Sequence, residues 1–165
     1  MLVLGLDPGV ATVGFGFVRA DGTSRRAGEY GVISTPAKLA LTRRLDTIYS
    51  DVTQLIAQFK PDAVSIEELY FGRNVTTGLN VAHARGVMLL AAFRSGVPAY
   101  QYAPNKVKNS VVGYGKASKC QVQEMVTRLL GLNEIPRPDD AADALAIALC
   151  HAQAASSLTF SGENI

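Results

Sequence analysis

The sequence predicts an α/β protein with a mixed five-stranded sheet flanked by helices. Short, nearly continuous apolar runs, typical of buried strands, occur at the N terminus and again after the first helical segment. In the segments that follow these runs, apolar residues recur at steps of three and four, as in amphipathic helices. The order of three strands, helix, strand, helix, strand and further helices is that of one α/β domain, which we place at residues 1–155.

The first three predicted strands precede any helix. Residues 2–6 form an apolar run that ends at Asp7, before a Pro-Gly turn. Residues 13–18 and 29–34 are rich in β-branched and aromatic side chains and contain or border glycines. We therefore expect these two segments to be antiparallel neighbours in the sheet.

The middle of the chain alternates between helix and strand. Apolar periodicity predicts helices at residues 41–59 and 79–93. Short apolar runs predict strands at residues 63–66 and 98–102, and a polar segment predicts a loop at residues 72–77. Pro61 ends the first of these helices, and the strand after it stops at a carboxylate, Glu67.

The last third of the chain is predicted to be helical. Pro104 suits the first turn of a short helix, because its missing N–H would lack a partner there. Ser118 and Gln121 form a capping box before the next helix, which Gly131 is placed to terminate. The final segments are an alanine-rich helix over residues 139–154 and a disordered tail over residues 156–165.

Composition excludes several classes of protein. No segment approaches the roughly 20 apolar residues of a membrane span, and no signal peptide is evident, so we expect a soluble, cytoplasmic protein. Cys120 and Cys150 are too few and too isolated for a disulfide framework or a thiolate metal site. A reducing compartment fits this cysteine usage.

The basic residues are more informative than the net charge of +2. Four lie in a segment without Asp or Glu, namely Lys106, Lys108, Lys116 and Lys119, and Arg73 and Arg85 flank the polar loop and the helix after it. A solvated basic face and a surface for a polyanion are both open interpretations of this pattern.

Two candidate site carboxylates follow predicted strands. Asp7 could equally be a turn-forming Asp before Pro8. Strand alternation places Glu67 on the same side as Ser65, where a charge against the core would be costly. The alternative for Glu67 is a strand-end side chain that reaches solvent.

Two further carboxylates, Asp140 and Asp143, lie three residues apart at the start of the last helix and so share one face. Acidic residues in a first helical turn also complement the helix dipole, and either Asp139 or Asp140 could be the N-cap. Spacing alone leaves the two interpretations open.

Taken together, two strand ends and one helix start can gather these four carboxylates at one edge of a sheet. Such a cluster needs cations, and oxygen ligands without His or Cys suit Mg²⁺ or Mn²⁺. A pair of such ions can clamp the attacking and leaving oxygens of a phosphoryl group. The four acids therefore predict metal-dependent phosphodiester hydrolysis.

The chain closely resembles the RuvC family of Holliday-junction resolvases from Leu4 to about Ala152. The matching motifs are Gly5-Leu6-Asp7-Pro8-Gly9, Ile66-Glu67, Ala84-Arg85-Gly86-Val87, Val107-Lys108, Val111-Val112-Gly113, Lys119, Gln121-Val122-Gln123 and the segment 140–148, which begins Asp-Ala-Ala-Asp. The resemblance implies a ribonuclease-H-like fold, a homodimer and divalent-metal-dependent paired nicks in four-way DNA junctions. It also implies a role in recombination and repair beside a branch-migration motor, RuvA and RuvB.

By position, the resemblance makes Asp7, Glu67, Asp140 and Asp143 the metal ligands and catalytic acids. It places Lys108 and Lys119 near the scissile DNA. An aromatic residue after the second carboxylate would stack on an unpaired base, and either Tyr70 or Phe71 can fill this position. Glu68 and Asp139 adjoin matched acids as alternative ligands, although motif register favours Glu67 and Asp140.

These assignments give a hypothetical mechanism. Two Mg²⁺ per protomer would activate a water and stabilise the leaving 3′ oxygen, giving 5′-phosphate and 3′-hydroxyl products. Helix 79–93 is a candidate dimer interface, and the alternative is that it packs wholly within the monomer. The rival functions are an actin-like or sugar-kinase-type ATPase, for which the chain lacks a second lobe, and a catalytically inactive junction-binding protein. His83 and His151 are left out of the site.

Overall fold

The computed structural model describes residues 1–69, 75–156 and 165, and of residues 75–77 only the backbone. The elements, in chain order, are β1 (Leu2–Asp7), β2 (Thr12–Asp21), β3 (Ser24–Ser34), α1 (Leu41–Phe59), β4 (Ala63–Glu67), α2 (Val75–Arg94), β5 (Ala99–Tyr102), α3 (Pro104–Val112), α4 (Lys119–Leu129) and α5 (Asp139–Ala154). The predicted order of strands and helices is confirmed.

The five strands form one mixed sheet in the order β3-β2-β1-β4-β5. The first three strands are antiparallel, whereas β1, β4 and β5 are parallel to one another. Leu6 pairs with Ile66, so β1 and β4 end side by side. Asp7 and Glu67, the next residue of each strand, therefore lie at the same edge of the sheet.

Helices cover both faces of the sheet, as predicted. On one face, α1 and α2 pack on side chains of β1 such as Leu4 and Leu6. On the other face, α3, α4 and α5 pack on side chains such as Val3. Leu4 and Val3 belong to different faces because neighbouring strand residues point in opposite directions.

Helix α5 lies directly on the sheet because glycines face it. A Cβ at Gly5 would lie 2.0 Å from the carbonyl oxygen of Ala144, and one at Gly14 would lie 2.0 Å from that of Asp140. Real side chains do not tolerate such distances, so the helix backbone reaches the sheet only where Cβ atoms are missing. This close contact determines the distance between the first turns of α5 and strands β1 and β2.

The structure corrects three local predictions. Strands β2 and β3 extend well beyond the predicted segments and meet at a turn in which Gly22 has φ 54°. Helix α2 begins at Val75, inside the predicted loop 72–77. Pro138 is the N-cap of α5 and no side chain caps it, so neither Asp139 nor Asp140 is the cap.

Other local predictions are confirmed. The Ser118 side chain accepts a hydrogen bond from the Gln121 backbone, and the Gln121 side chain accepts one from Ser118. Gly131 follows α4 with φ 66°, in the left-handed region that favours glycine. Tyr70, Phe71 and Arg73 lie outside the described residues, as does most of the predicted tail, residues 157–164.

His151 is 2 % exposed at the centre of the α5 side of the core. Its Nδ1 lies 2.8 Å from the Tyr102 hydroxyl, and its ring lies 4.5 Å from that of Tyr100. Burial lowers the pKa of His151 to about 4. The imidazole therefore belongs to the core and is neutral at physiological pH.

This buried histidine is expected to make the protein sensitive to acid. The unfolded chain takes up the His151 proton near pH 6.5, whereas the folded protein resists it down to about pH 4. The contribution of His151 to stability is therefore fully present above pH 6.5 and is lost as the pH drops through this window, by about 2 kcal/mol between pH 7 and 4.5. Urea unfolding of wild type and His151→Gln at both pH values checks this. Equal acid sensitivity of the two proteins would contradict it.

Candidate active site

A cavity of about 300 Å³ opens at the sheet edge where β1 and β4 end. Three of the four predicted acids and two of the predicted lysines line it, beside apolar residues of α3, α4 and α5. The lining residues are Asp7, Glu67, Pro104, Val107, Lys108, Lys119, Val122, Asp143, Ala146 and Ile147. The fourth acid, Asp140, lies one helical turn before Asp143 on α5.

The four acids act on one another electrostatically. Burial is the largest cause that raises the pKa of Asp7 to about 8. Repulsion from Asp143, Glu67 and Asp140 raises it further, whereas the Lys119 ammonium acts in the opposite direction. All three other carboxylates are thus close enough to disfavour a negative charge on Asp7.

Glu67 and Asp143 are perturbed in the same direction. Burial raises the pKa of both, and repulsion from Asp143 adds to the effect at Glu67. Each acid also has a basic neighbour that partly offsets this. Lys108 lowers the pKa of Glu67, and the Lys119 ammonium, 3.0 Å from Asp143, lowers that of Asp143.

The acids adjacent to the predicted ligands have other partners. Asp139 contacts Arg137 at 2.8 Å and Lys119 at 3.6 Å, and it is not among the carboxylates that act on Asp7. The charge of Glu68 acts on Arg85. The geometry therefore favours Glu67 and Asp140, as motif register did.

The carboxylate side chains of the site are of the chemical type that binds a hard divalent cation. Mg²⁺ and Mn²⁺ prefer carboxylate oxygens, and the mutual repulsion of these side chains would be relieved by a cation. As the side chains stand, no three Asp, Glu, His or Cys residues within the described ranges form a ready metal site. Lys119, bound to Asp143, supplies positive charge at this edge instead.

The predicted basic residues divide into three groups. Lys108 and Lys119 line the cavity. Lys106 and Lys116 are exposed, and the Lys106 ammonium lies 5.2 Å from the centre of the Tyr102 ring. Arg85 is half-buried and donates hydrogen bonds to the Glu67 carbonyl and the Gln101 side chain.

Sequence reasoning missed the residues that support the acids. Gly14 pairs with Asp7 in the sheet and also contacts the Asp140 backbone, so it touches both sides of the site. A glycine inside a strand is a signal of close backbone approach, but it does not say which helix approaches.

Among the described residues, no helix is both long and apolar enough to cross a membrane.

Comparisons with known proteins agree on one family. The family model described as crossover junction endodeoxyribonuclease RuvC matches residues 3–151. A protein of that description from Rubrobacter xylanophilus is 54% identical over 151 residues, which cover 92% of this chain and 84% of the relative.

Solved structures show the same likeness. The Thermus thermophilus RuvC in complex with a Holliday junction substrate has a TM-score of 0.93 and 38% identity, covering 100% of this chain and 99% of that one. The yeast mitochondrial Holliday junction resolvase Ydc2 shares the fold at a TM-score of 0.65, 16% identity and coverage of 92% and 78%. The chain belongs to the RuvC family of crossover junction endodeoxyribonucleases.

Proposed function

We propose that this protein resolves Holliday junctions by hydrolysing phosphodiester bonds at the carboxylate cavity, leaving 5′-phosphate and 3′-hydroxyl ends. The observation that carries the proposal is the meeting of Asp7, Glu67 and Asp143 with Lys108 and Lys119 in one cavity at the sheet edge. Family membership supplies the junction as substrate. Recombination and repair of chromosomal DNA would place the enzyme in the cytoplasm.

The four acids are the residues that would hold the metal. Asp7, Glu67, Asp140 and Asp143 offer oxygen donors, and burial, followed by repulsion from the other three carboxylates, raises the pKa of Asp7. Two Mg²⁺ ions, or Mn²⁺ in their place, would supply Lewis acidity and lower the pKa of a bound water.

Two lysines offset part of the negative charge of the carboxylates in this site. Lys119 holds the Asp143 carboxylate at 3.0 Å and offsets part of the repulsion among the acids. The charge of Lys108 lowers the pKa of Glu67, and Lys108, like Lys119, lines the cavity that a phosphate would enter. The apolar wall, which includes Val107 and Ile147, limits water around these charges.

Basic side chains outside the cavity would hold the DNA arms. Lys106 and Lys116 are exposed on α3 and in the loop before α4, respectively. Neutralising phosphates releases counterions, so binding should weaken steeply as salt rises. Arg73 and the stacking residue, Tyr70 or Phe71, belong to the same proposal.

A cleavage assay tests this function. A mobile four-way junction and a linear duplex of the same sequence are incubated with the protein in Mg²⁺ and in EDTA. We expect paired nicks in the junction in Mg²⁺ only, and little cutting of the duplex. Junction binding without cutting in any divalent metal would support an inactive binding protein, and saturable ATP affinity without DNA affinity would support the ATPase alternative.

We further propose that α2 forms a two-fold dimer, which would place two active sites on a two-fold junction. Leu79 is 50% exposed, Leu90 47% and Phe93 81%, whereas Ala84 and Met88 on the other side of α2 are buried. The helix therefore packs on the core with one face and leaves apolar side chains uncovered on another. Branch-migration proteins RuvA and RuvB are proposed partners of the dimer.

Phe93→Glu is expected to weaken this dimer. A charge buried within the proposed apolar interface should raise the dimer dissociation constant by about 100-fold. Paired nicking should then give way to single nicks at low protein concentration. Sedimentation equilibrium measures the dissociation constant. Leu129→Glu, on the partly exposed face of α4, is the matched control. An unchanged dissociation constant in Phe93→Glu would exclude α2 as the interface.

A further inference from the structure

Arg85 connects helix α2 to the end of the strand that carries Glu67. Its Nε donates to the Glu67 backbone carbonyl at 3.2 Å. Its Nη2 donates to the side-chain oxygen of Gln101 on β5. One guanidinium thus holds a peptide of β4 and a side chain of its neighbouring strand with two of its five donors.

The Glu67 carbonyl lies at the end of β4, beyond the last backbone pairing between β1 and β4. The pairing of β1 with β4 ends at Leu6 and Ile66. Two residues beyond Leu6, Pro8 has no backbone N–H with which β1 could continue the ladder. On the β5 side, the last bond runs from the Glu68 N–H to the Tyr102 carbonyl at 2.9 Å. Arg85 therefore holds the peptide at the end of this ladder.

The environment of Arg85 differs from that of a phosphate-binding side chain. Burial lowers its pKa, and the charge of Glu68 opposes that effect. A half-buried guanidinium that is already hydrogen-bonded and beside a carboxylate offers less to DNA than an exposed ammonium such as that of Lys116.

We infer that Arg85 is a positioning residue for Glu67, which holds the end of β4 so that the carboxylate faces the cavity, and that it is not a DNA contact. The inference depends on the proposed nuclease function, because it assigns Glu67 to the reaction. It changes the role that the sequence indicated for Arg85. It also gives α2 a direct hydrogen-bonded connection to the active site.

The test separates turnover from DNA binding. Arg85→Lys keeps the positive charge but loses the planar guanidinium, and Arg85→Gln loses both the charge and the guanidinium. Gln101→Leu removes the side-chain oxygen that accepts from Arg85 without altering the charge. Arg128→Gln removes a charge at an exposed position of α4 and is the control. For each protein we would measure single-turnover cleavage of a four-way junction, the Mg²⁺ concentration for half-maximal rate, and junction affinity in EDTA at several salt concentrations.

We expect both Arg85 variants to cut about 10- to 100-fold more slowly, because partners that orient ligands have effects of this size. Their Mg²⁺ requirement should rise, and Gln101→Leu should change in the same direction. Junction affinity and its salt dependence should stay at the wild-type value, with Arg128→Gln unchanged in cleavage.

Two results would overturn the inference. Arg85→Gln could bind the junction more weakly while its turnover stays at the wild-type value. If the slope of log affinity against log salt concentration were also shallower by about one, Arg85 would be a phosphate contact. Wild-type turnover and Mg²⁺ requirement in Arg85→Lys and Gln101→Leu together would remove any positioning role. Failure of the wild type to cut junctions would instead refute the proposed function, so the two failures are distinguishable.

Discussion

Asp7→Asn is expected to abolish junction cleavage and, at the same time, to stabilise the metal-free protein. Asp7 lies among three other carboxylates, and burial and their repulsion raise its pKa to about 8. Asn has nearly the same shape but neither the charge nor the affinity for a cation. We expect cleavage to fall on the order of 1000-fold, because under the proposed function Asp7 is an anionic ligand of the metal and Asn is not.

The gain in stability follows from proton linkage. Between about pH 4 and pH 8 the folded protein keeps a proton on Asp7 that the unfolded chain has released. The contribution of Asp7 to the free energy of unfolding therefore falls as the pH rises through this window. Removing the charge should restore on the order of 2 kcal/mol at pH 8 in EDTA.

Single-turnover cleavage in Mg²⁺ and urea unfolding in EDTA at pH 6 and pH 8 measure the two effects. Asp46→Asn removes an exposed carboxylate from α1 and should change neither. Cleavage by Asp7→Asn within tenfold of the wild type would remove Asp7 from the reaction. An unfolding free energy that does not rise relative to wild type between pH 6 and 8 would contradict the repulsion among the four acids.

Gly5→Ala is expected to cause a large loss of stability from a single methyl group. The new Cβ would lie 2.0 Å from the Ala144 carbonyl oxygen and 2.7 Å from the Ala148 nitrogen. Both atoms belong to the backbone of a buried helix, so no side chain can turn away to make room. Overpacking typically costs 1–3 kcal/mol, and we expect about 3 kcal/mol here.

The same substitution should slow cleavage at temperatures where the protein stays folded. A shift of α5 away from β1 moves Asp140 and Asp143 relative to Asp7, and small displacements of reacting groups have large effects on rate. Urea unfolding and cleavage at 20 degrees below the melting temperature measure both. At Gly86, a Cβ would meet nothing within 4 Å, so Gly86→Ala should gain up to about 1 kcal/mol. Equal stabilities of the two variants would contradict the packing described for α5.

The parts of the site that the sequence predicted are those marked by local chemistry. Apolar runs that stop at Asp7 and Glu67 define strand ends, and parallel strands bring such ends together. The spacing of Asp140 and Asp143 places them on one face of a helix whatever the helix packs against. These features need no knowledge of distant contacts, whereas the choice between adjacent acids came from the resemblance to the RuvC family.

The remaining features depend on contacts between distant segments. Arg85 is a basic residue of the helix after the polar loop in the sequence, and only the fold brings it to the Glu67 carbonyl. Gly14 is one of several glycines, and only the fold places it under Asp140. Strands β2 and β3 exceed their predicted lengths because the hairpin holds polar residues such as Arg25 and Arg26 through backbone pairing. Side-chain patterning does not report such pairing.

The contact between β1 and α5 also bears on the order in which the site forms during synthesis. Asp7 leaves the ribosome well before Asp140 and Asp143, whose helix, α5, packs on Gly5 and Gly14. A nascent chain that has not yet released α5 holds only half of the acids. Under the proposed function, we therefore expect nuclease activity only after α5 has packed on the sheet.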